Sequence, residues 1–572
     1  MSFRDYLAAR LFTPKTLPVS PHTAAPRASR LGASPFARAE APVAAPPPED
    51  WSRDPESGAP LPFGPGVVAL PGELVGARQA HRHGWFPAEV AAGRAREAAA
   101  ALAAWARQDL PGQGVAWAHP SDLAARLVHW HVGLAWADGA VSTELRDALA
   151  GSAAWHLDHL RARLPLGEAD GLRRVVHFAG MVVGGLTFPD LDGARAAWSE
   201  GLAGLRWHLP VEIRGDGCPV DPAPRALAEA LWLVAIARAV SRANHAAFPS
   251  AADAAFARGA RWLERVAGEI GTLPAVGEDA STDVLAHPYP LACSLWNLAC
   301  GWGLAEGERA GPDGDPRCAW LGVRPPAPPS EPPGKTWAMW AFREGGDVVA
   351  HLRIKNRPSR VLAQMGSARR PSPMAHAAPA NLVWEIGDVA VLADPGPSLG
   401  AGELARHLAG TAAHNTLTLD GAAARAPWEG RLEVARVDGR KARIAGHHLA
   451  WSRIAPLVHH RAVLLHQQRL VVTDRLVPTA RRPGRHALHL CWQLGAGWVV
   501  EPDGAAFVAR RGDLVLAIQL DPGLAWSLVE GRDRPSPAGW VRVGREVVPA
   551  PCFVGEGGVD GERSFTSSFE IR

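Results

Sequence analysis

His376, Asp394 and His414 are the residues whose types and spacing first suggest chemistry. The stretches that carry them are "MAHAAPANLVWEIGDVAVLADPG", Met374 to Gly396, and "TAAHNTLTLD", Thr411 to Asp420. Both read as strands, because apolar residues alternate or run together between turn formers. If the strands lie side by side, the three side chains converge. Two imidazoles and a carboxylate can hold a divalent ion and leave a position for water or substrate. They also serve as hydrogen-bonded residues at strand ends, with Asp394 a turn former before Pro395 and Gly396, and spacing alone favours that plainer role.

The chain that must position them has 572 residues, 47% of them hydrophobic, enough for two or more domains with large cores. Its 60 basic and 57 acidic side chains leave a formal charge of +3, without the basic footprint of a nucleic-acid-binding domain. An acidic ligand would need a local basic patch. Six cysteines (Cys218, Cys293, Cys300, Cys318, Cys491 and Cys552) show no paired short spacing, so reduced, inert thiols are expected rather than a zinc knuckle or a disulfide framework. The opening "MSFRDYLAARLFTPKTLPVS" lacks an uninterrupted apolar segment with a cleavage site, and no later stretch is long and charge-free enough to span a bilayer. A soluble, cytoplasmic protein is expected over a periplasmic one. Among 23 Trp there are only 2 Tyr, Tyr6 and Tyr289, which limits the proton carriers on offer.

Four regions follow from the patterning. Residues 1–65 are a Pro/Ala-rich extended arm, because runs such as "APVAAPPPED" sustain neither helical nor strand periodicity. Residues 66–322 read as a helical array. "PAEVAAGRAREAAAALAAWARQ" opens with Pro87 in a first turn, and "SDLAARLVHWHVGLAWADG" has Ser121 as cap with Leu123, Leu127 and Trp130 on one face. Residues 323–336 are a Pro-rich linker, after which the period changes. Residues 337–572 alternate, as in "GDVVAHLRIKN", "RAVLLHQQRLVVTDRL" and "DLVLAIQL", which predicts an antiparallel sandwich.

The motifs "GVAWAHPSDLAARLVHW", "HFAGMVVGGLTFPD", "GTLPAVGEDAS", "HAAPANLVWEIGDVAVLADPG" and "TAAHNTLTLDG", in that order, resemble the heparinase II/III family of polysaccharide lyases, related to oligoalginate lyases. The look is closest to alphaproteobacterial members and runs from about Gly84 to Arg572. The resemblance implies a multidomain α and β fold, an incomplete (α/α) toroid followed by an antiparallel β-sandwich, with the sugar cleft between them. It implies cleavage of an acidic, uronate-containing poly- or oligosaccharide by β-elimination. Such a site removes the proton on C5, steadies the charge that develops at the uronate carboxylate, and expels the oxygen on C4.

The resemblance also implies site residues. His376, Asp394 and His414 match the family's zinc ligands, so zinc is the expected cofactor. The family's Asn-His motif would fall where "GLRR", Gly171 to Arg174, stands; its Tyr would fall at Arg225 or Ala226; its catalytic His would be at Met374. The proton carriers left in sight are Tyr289 and His177, with Arg174 beside them as a third catalytic candidate. Arg173, Arg225, Arg126, Trp117, Trp130 and Asn415 are candidates for substrate binding, although paired arginines on a helix such as Arg173 and Arg174 are more often one solvated and one salt-bridged, and most of 23 tryptophans must be core. Asn244 and His245 look like the missing motif but stand too late and read as a helix terminus.

Two functions stay open: a lyase with rearranged proton carriers, or a non-catalytic lyase-like protein that binds polysaccharide during synthesis or export of a surface polymer. A hydrolase using Glu278 and Asp279 is weaker, since adjacent carboxylates rarely oppose each other across a bond. The expected partner is an acidic polysaccharide or oligosaccharide, not nucleic acid or membrane, and a homodimer is compatible with the sequence.

Overall fold

The structure, a computed structural model, describes residues 31–37, 53, 75–108, 115–117, 119–137, 139, 141–163, 171–277, 284–329, 337–369, 376–397, 402–439, 441–481, 484–534, 536–544 and 546–572. Most of the expected arm, the second half of the Pro-rich linker, Met374 and the Glu278 and Asp279 pair lie outside the described residues. The chain divides into two compact units. One holds the described residues of Met1–Glu212, Ala226–Ala260 and Ala280–Pro328; the other holds those of Ile213–Arg225, Arg261–Asp279 and Pro329–Arg572.

The first unit is the expected helical array. Its longer helices include Ala95–Gln108, Pro120–Ala137, Thr143–Arg163, Leu172–Thr187, Ala194–Glu212 and, from Ala226 on, Pro224–Ala243. Alanine-rich segments lose little side-chain entropy on becoming helical, which is why "AREAAAALAAWARQ" forms one so readily. Pro120 begins its helix, one residue before the expected cap Ser121, where a missing N–H costs nothing. That helix is not amphipathic as the sequence suggested: every residue except Ala135 is buried. Gly180 lets the Leu172–Thr187 helix approach it, since a Cβ at that position would lie 2.5 Å from the Ala124 methyl. Among the described residues no helix is long and apolar enough to cross a membrane.

A helix buried all round must satisfy its own polar side chains. Asp122 takes Arg78 Nε at 2.9 Å and Arg82 Nε at 2.7 Å. Arg126 is wholly buried: it donates to the carbonyls of His81 and Ala116 and, at 2.7 Å, to His156 Nε2, with Trp105 beneath its guanidinium at 5.0 Å. His156 returns its own Nδ1–H to Ser152 O at 2.7 Å. Asn244, at the helix end expected for it, holds the backbone of Ala33 through both its amide oxygen and its amide nitrogen.

The second unit is antiparallel throughout. β1 (Trp337–Phe342), β2 (Asp347–Ile354), β3 (Arg357–Gln364), β4 (Leu382–Ile386) and β5 (Val389–Leu392) make a meander in chain order. Next come β6 (Leu417–Leu419), β7 (Gly430–Asp438), β8 (Lys441–His448), β9 (Leu457–His466), β10 (Arg469–Pro478), β11 (His486–Gln493) and β12 (Val499–Asp503). The chain finishes with β13 (Ala506–Arg511), β14 (Leu514–Gln519), β15 (Ala525–Val529), β16 (Trp540–Val543), β17 (Glu546–Pro549), β18 (Cys552–Val559) and β19 (Arg563–Ile571). An eight-stranded sheet runs β12-β13-β14-β19-β10-β9-β8-β7 and a four-stranded one runs β15-β18-β11-β6. Inward residues of these sheets and of the meander, such as Trp384, Leu417, Ile444, Val463, Trp492 and Phe569, share one core, as alternating strands must when sheets stack.

The expected boundary at 323–336 is incomplete. Two earlier segments, Ile213–Arg225 and Arg261–Asp279, belong with the sheets. Arg214 donates to Glu344 O at 2.6 Å, and Arg360 on β3 donates to Val266 O at 2.7 Å and Thr272 O at 2.6 Å. Periodicity does not reveal such tethers.

Replacing Arg126 by Ala strands His156, two carbonyls and the space beneath Trp105 together. It is expected to lower stability by about 3–5 kcal/mol, read as an earlier midpoint in chemical denaturation.

Candidate metal centre and pocket

β4 and β5 bring Asp394 to the end of an apolar run, and the turn before β6 presents His414 beside it. His376 Nδ1 lies 3.1 Å from His414 Nε2 and 3.9 Å from Asp394 Oδ1, and His414 Nε2 lies 3.6 Å from Asp394 Oδ2. Two ligands about 2.0–2.1 Å from a tetrahedral ion stand roughly 3.4 Å apart, so this triangle has the size of one face of a metal site. All three residues are buried.

The surroundings orient the donors. His414 Nδ1–H donates to Gly410 O at 2.8 Å, which leaves Nε2 as the lone-pair nitrogen facing the other two. Burial, and to a lesser degree the neighbouring His376, hold His414 neutral, at about 4, against the opposing pull of Asp394. Asn381 donates to Asp394 Oδ2 at 2.7 Å and the Gly396 N–H to Oδ1 at 3.1 Å. The donor set, the neutral imidazole and the outer hydrogen bonds fit a divalent metal.

A pocket of the same unit is lined by His376 and Asp394 together with Arg214, Cys218, Asp347, Gln364 and Trp428. Asp347, the first residue of β2, is buried, and burial pushes its carboxyl up to about 7 even though Cys218 donates to it at 3.2 Å and Arg214 lies near. Gln364 Nε2, also buried, has no hydrogen-bond partner among the described residues. Asp347, Cys218, Arg214, Gln364 and Trp428 were not identified from the sequence. The one signal for Asp347 was an acid at the head of an apolar run, which reads equally as a strand-start residue.

The other expected site residues take different places. Arg126, Trp117 and Trp130 do come together, but as core: Trp117 packs on His156 at 4.4 Å, and Trp130 donates to His83 Nδ1 at 2.9 Å. With every guanidinium edge occupied, Arg126 has nothing left for a sugar. Asn415 is fully buried and serves as a strand peg, donating to Leu382 O and Ala393 O at 2.8 Å and accepting from Gln493 N at 2.7 Å. Tyr289 donates its hydroxyl to Pro312 O at 2.8 Å and Ala310 O at 3.3 Å, and burial raises its pKa well above the ordinary phenol value. That hydroxyl is a packing donor, not a proton carrier at neutral pH. His177 is buried midway along the Leu172–Thr187 helix. Arg173 and Arg174 stand half-buried at the start of that helix, and Arg225 reaches Leu273 O at 3.4 Å.

Residues 334–545 match the family described as heparinase II/III-like, C-terminal. No curated protein is detectably similar in sequence to the chain. Among solved structures, a heparinase III aligns with a TM-score of 0.65 at 13% identity, covering 90% of this chain and 79% of that one. A second heparinase III gives 0.58 at 15% identity, over 88% and 79%. A heparan sulfate lyase from Pedobacter heparinus gives 0.54 at 16%, over 88% and 77%. At these identities the likeness is one of fold, helical array and sheets alike. Residues 334–545 are thus a heparinase II/III-like C-terminal domain, carried by a chain with the fold of the heparinases.

Proposed function

We propose that the chain is a polysaccharide lyase that cleaves an acidic, uronate-containing poly- or oligosaccharide by β-elimination, using the pocket of the sheet unit. The observation that carries this reading is the convergence, in one pocket wall, of a carboxyl poised near neutrality, a buried arginine, and His376 and Asp394 of the cluster they form with His414. The lyase-like fold and a heparan sulfate lyase among its structural neighbours support the substrate class.

In this reading Asp347 is the base. Near pH 7 a useful fraction of its carboxyl is ionised and the rest protonated, the poise that general acid-base catalysis favours. It takes the C5 proton, the electron pair closes the C4–C5 double bond, the C4–O bond breaks, and the protonated carboxyl returns its proton to the leaving oxygen. Arg214, whose donors already reach Glu344 O and Ser367 O, contributes positive charge towards the uronate carboxylate rather than a free fork. Gln364 Nε2 is a donor for a sugar hydroxyl, and the half-buried Trp428 offers an apolar face to a pyranose ring. Zinc held by His376 Nδ1, Asp394 and His414 Nε2 would add a fixed charge that steadies the carboxylate and braces the pocket wall.

The non-catalytic reading has an observation of its own, since the Tyr289 hydroxyl is taken up by two backbone carbonyls and His177 is buried within its helix. Incubation with uronate polymers separates the two: a lyase yields a chain end with a C4–C5 double bond and new near-ultraviolet absorbance, whereas a binding protein holds the polymer unchanged.

The purified protein is expected to carry about one zinc per chain by elemental analysis, and His414→Ala to lose metal and thermal stability together. A metal-free protein whose melting is indifferent to chelator contradicts the metal assignment.

Asp347→Asn is expected to lower turnover by at least ~10²-fold while leaving zinc content intact. It also has a signature in stability. Folded, Asp347 keeps its proton to about 7, against an ordinary value of 3.8. Between those values the folded state binds the extra proton, so stability falls as pH rises, and what the group contributes below about 4 is gone above about 7, on the order of 4 kcal/mol in all. The Asn variant should flatten that slope in denaturation midpoints taken across the window.

A further inference from the structure

The outer face of the eight-stranded sheet carries a second group of ligand-type side chains, none of which lines the pocket. His447 on β8 and His460 on β9 are direct cross-strand partners, with ring centroids 5.3 Å apart and planes inclined by 40°. Both point outward, because the residues flanking them in each strand, Gly446, His448, His459 and Arg461, are buried. On β7 the register shifts between Leu432 and Val434, making Glu433 an extra residue on the exposed side. Its Oε1 lies 2.8 Å from His447 Nδ1. One ligand atom from each of Glu433, His447 and His460 lies within 4.8 Å of the others.

We propose that Glu433, His447 and His460 form a surface site for a divalent transition-metal ion such as Zn(II), separate from the buried cluster, with water completing the sphere. Two imidazole nitrogens and one carboxylate oxygen are a donor set that zinc accepts with an open position. The bulge matters, because without it Glu433 would hold an ordinary place in the β7–β8 register. The nearby cations do not block the site. Arg475, cross-strand from His460, is paired with Glu562 at 2.6 Å, and Arg431, opposite His447, is exposed to solvent, where its charge is screened. The ligands stand on rigid paired strands and need only exchange the Glu433–His447 hydrogen bond for two metal bonds. Partial exposure makes this ion the weaker held of the two, so it is expected to be lost on purification and regained on titration.

The test is calorimetric titration of metal-stripped full-length protein with Zn(II), on the wild type, His447→Ala, His460→Ala and His414→Ala. One equivalent should vanish in each of the two surface variants and persist in His414→Ala, and Co(II) should report the same losses by its visible absorption. Because all three side chains sit on the outer face, the surface variants should keep wild-type melting without metal. Zinc uptake unchanged by both His447→Ala and His460→Ala overturns the site, whatever the buried cluster does; uptake that depends on them supports it even if His414→Ala binds normally.

Discussion

Arg461 is the residue on which the chemistry-bearing part of the sheet unit depends. A buried guanidinium is costly unless it is neutralised and every donor is used. Asp474 meets it at 2.7 and 3.0 Å, and Trp492 lies against it at 5.1 Å. The remaining donor reaches Ala380 O and Asn415 O. Ala380 follows His376 and Asn415 follows His414, so one cation fixes both segments that present the imidazoles. Burial alone would raise the Asp474 carboxyl, yet Arg461 and the His459 hydrogen bond hold it far below the usual carboxylate range. His459 passes the chain on to His448 at 2.8 Å, a polar line through an otherwise apolar core. Such a network is fully satisfied or ruinous, and here it is satisfied.

The helical unit solves the same problem with Arg126 and the histidines around it. His81 and His83 are held neutral chiefly by burial and next by the Arg126 charge, so they can accept from Trp105 and Trp130. In both units, then, the most deeply buried arginines serve the scaffold. Asp347 stands apart from this pattern: its neighbours offset burial only in part, which leaves its carboxyl near neutrality in a pocket wall. Structural carboxylates are driven down by their partners, and a carboxyl left poised is the kind that chemistry uses.

How much of this was legible in the sequence follows from range. Period and composition located the helices, the change to strands and the apolar runs that carry Asp394 and His414, because those signals lie within a few residues. The convergence of His376 with the other two rested on family likeness, since spacing alone favoured the plainer role. What failed were inferences from residue type. Arg126, Trp117 and Trp130 carry groups that bind sugars, but the Pro120–Ala137 helix that holds Arg126 and Trp130 is buried at every residue except Ala135, Trp117 is buried in the turn before it, and a window of sequence does not show how many neighbours cover them. Tyr289 attracted attention by rarity, yet a hydroxyl flanked by carbonyls is spoken for. Asp347, Cys218 and Arg214 went unseen because their meeting joins Ile213–Arg225 to β2 across more than a hundred residues, a contact only the fold creates.

The most direct measurement is a crystal structure with a uronate oligosaccharide bound, from diffraction data recorded on the high-energy side of the zinc absorption edge. Sugar density is expected against Arg214 and Asp347, with an anomalous peak enclosed by His376, Asp394 and His414. Sugar bound elsewhere, with that pocket holding only water and no anomalous scatterer, would contradict the assignment of this pocket as the site of cleavage.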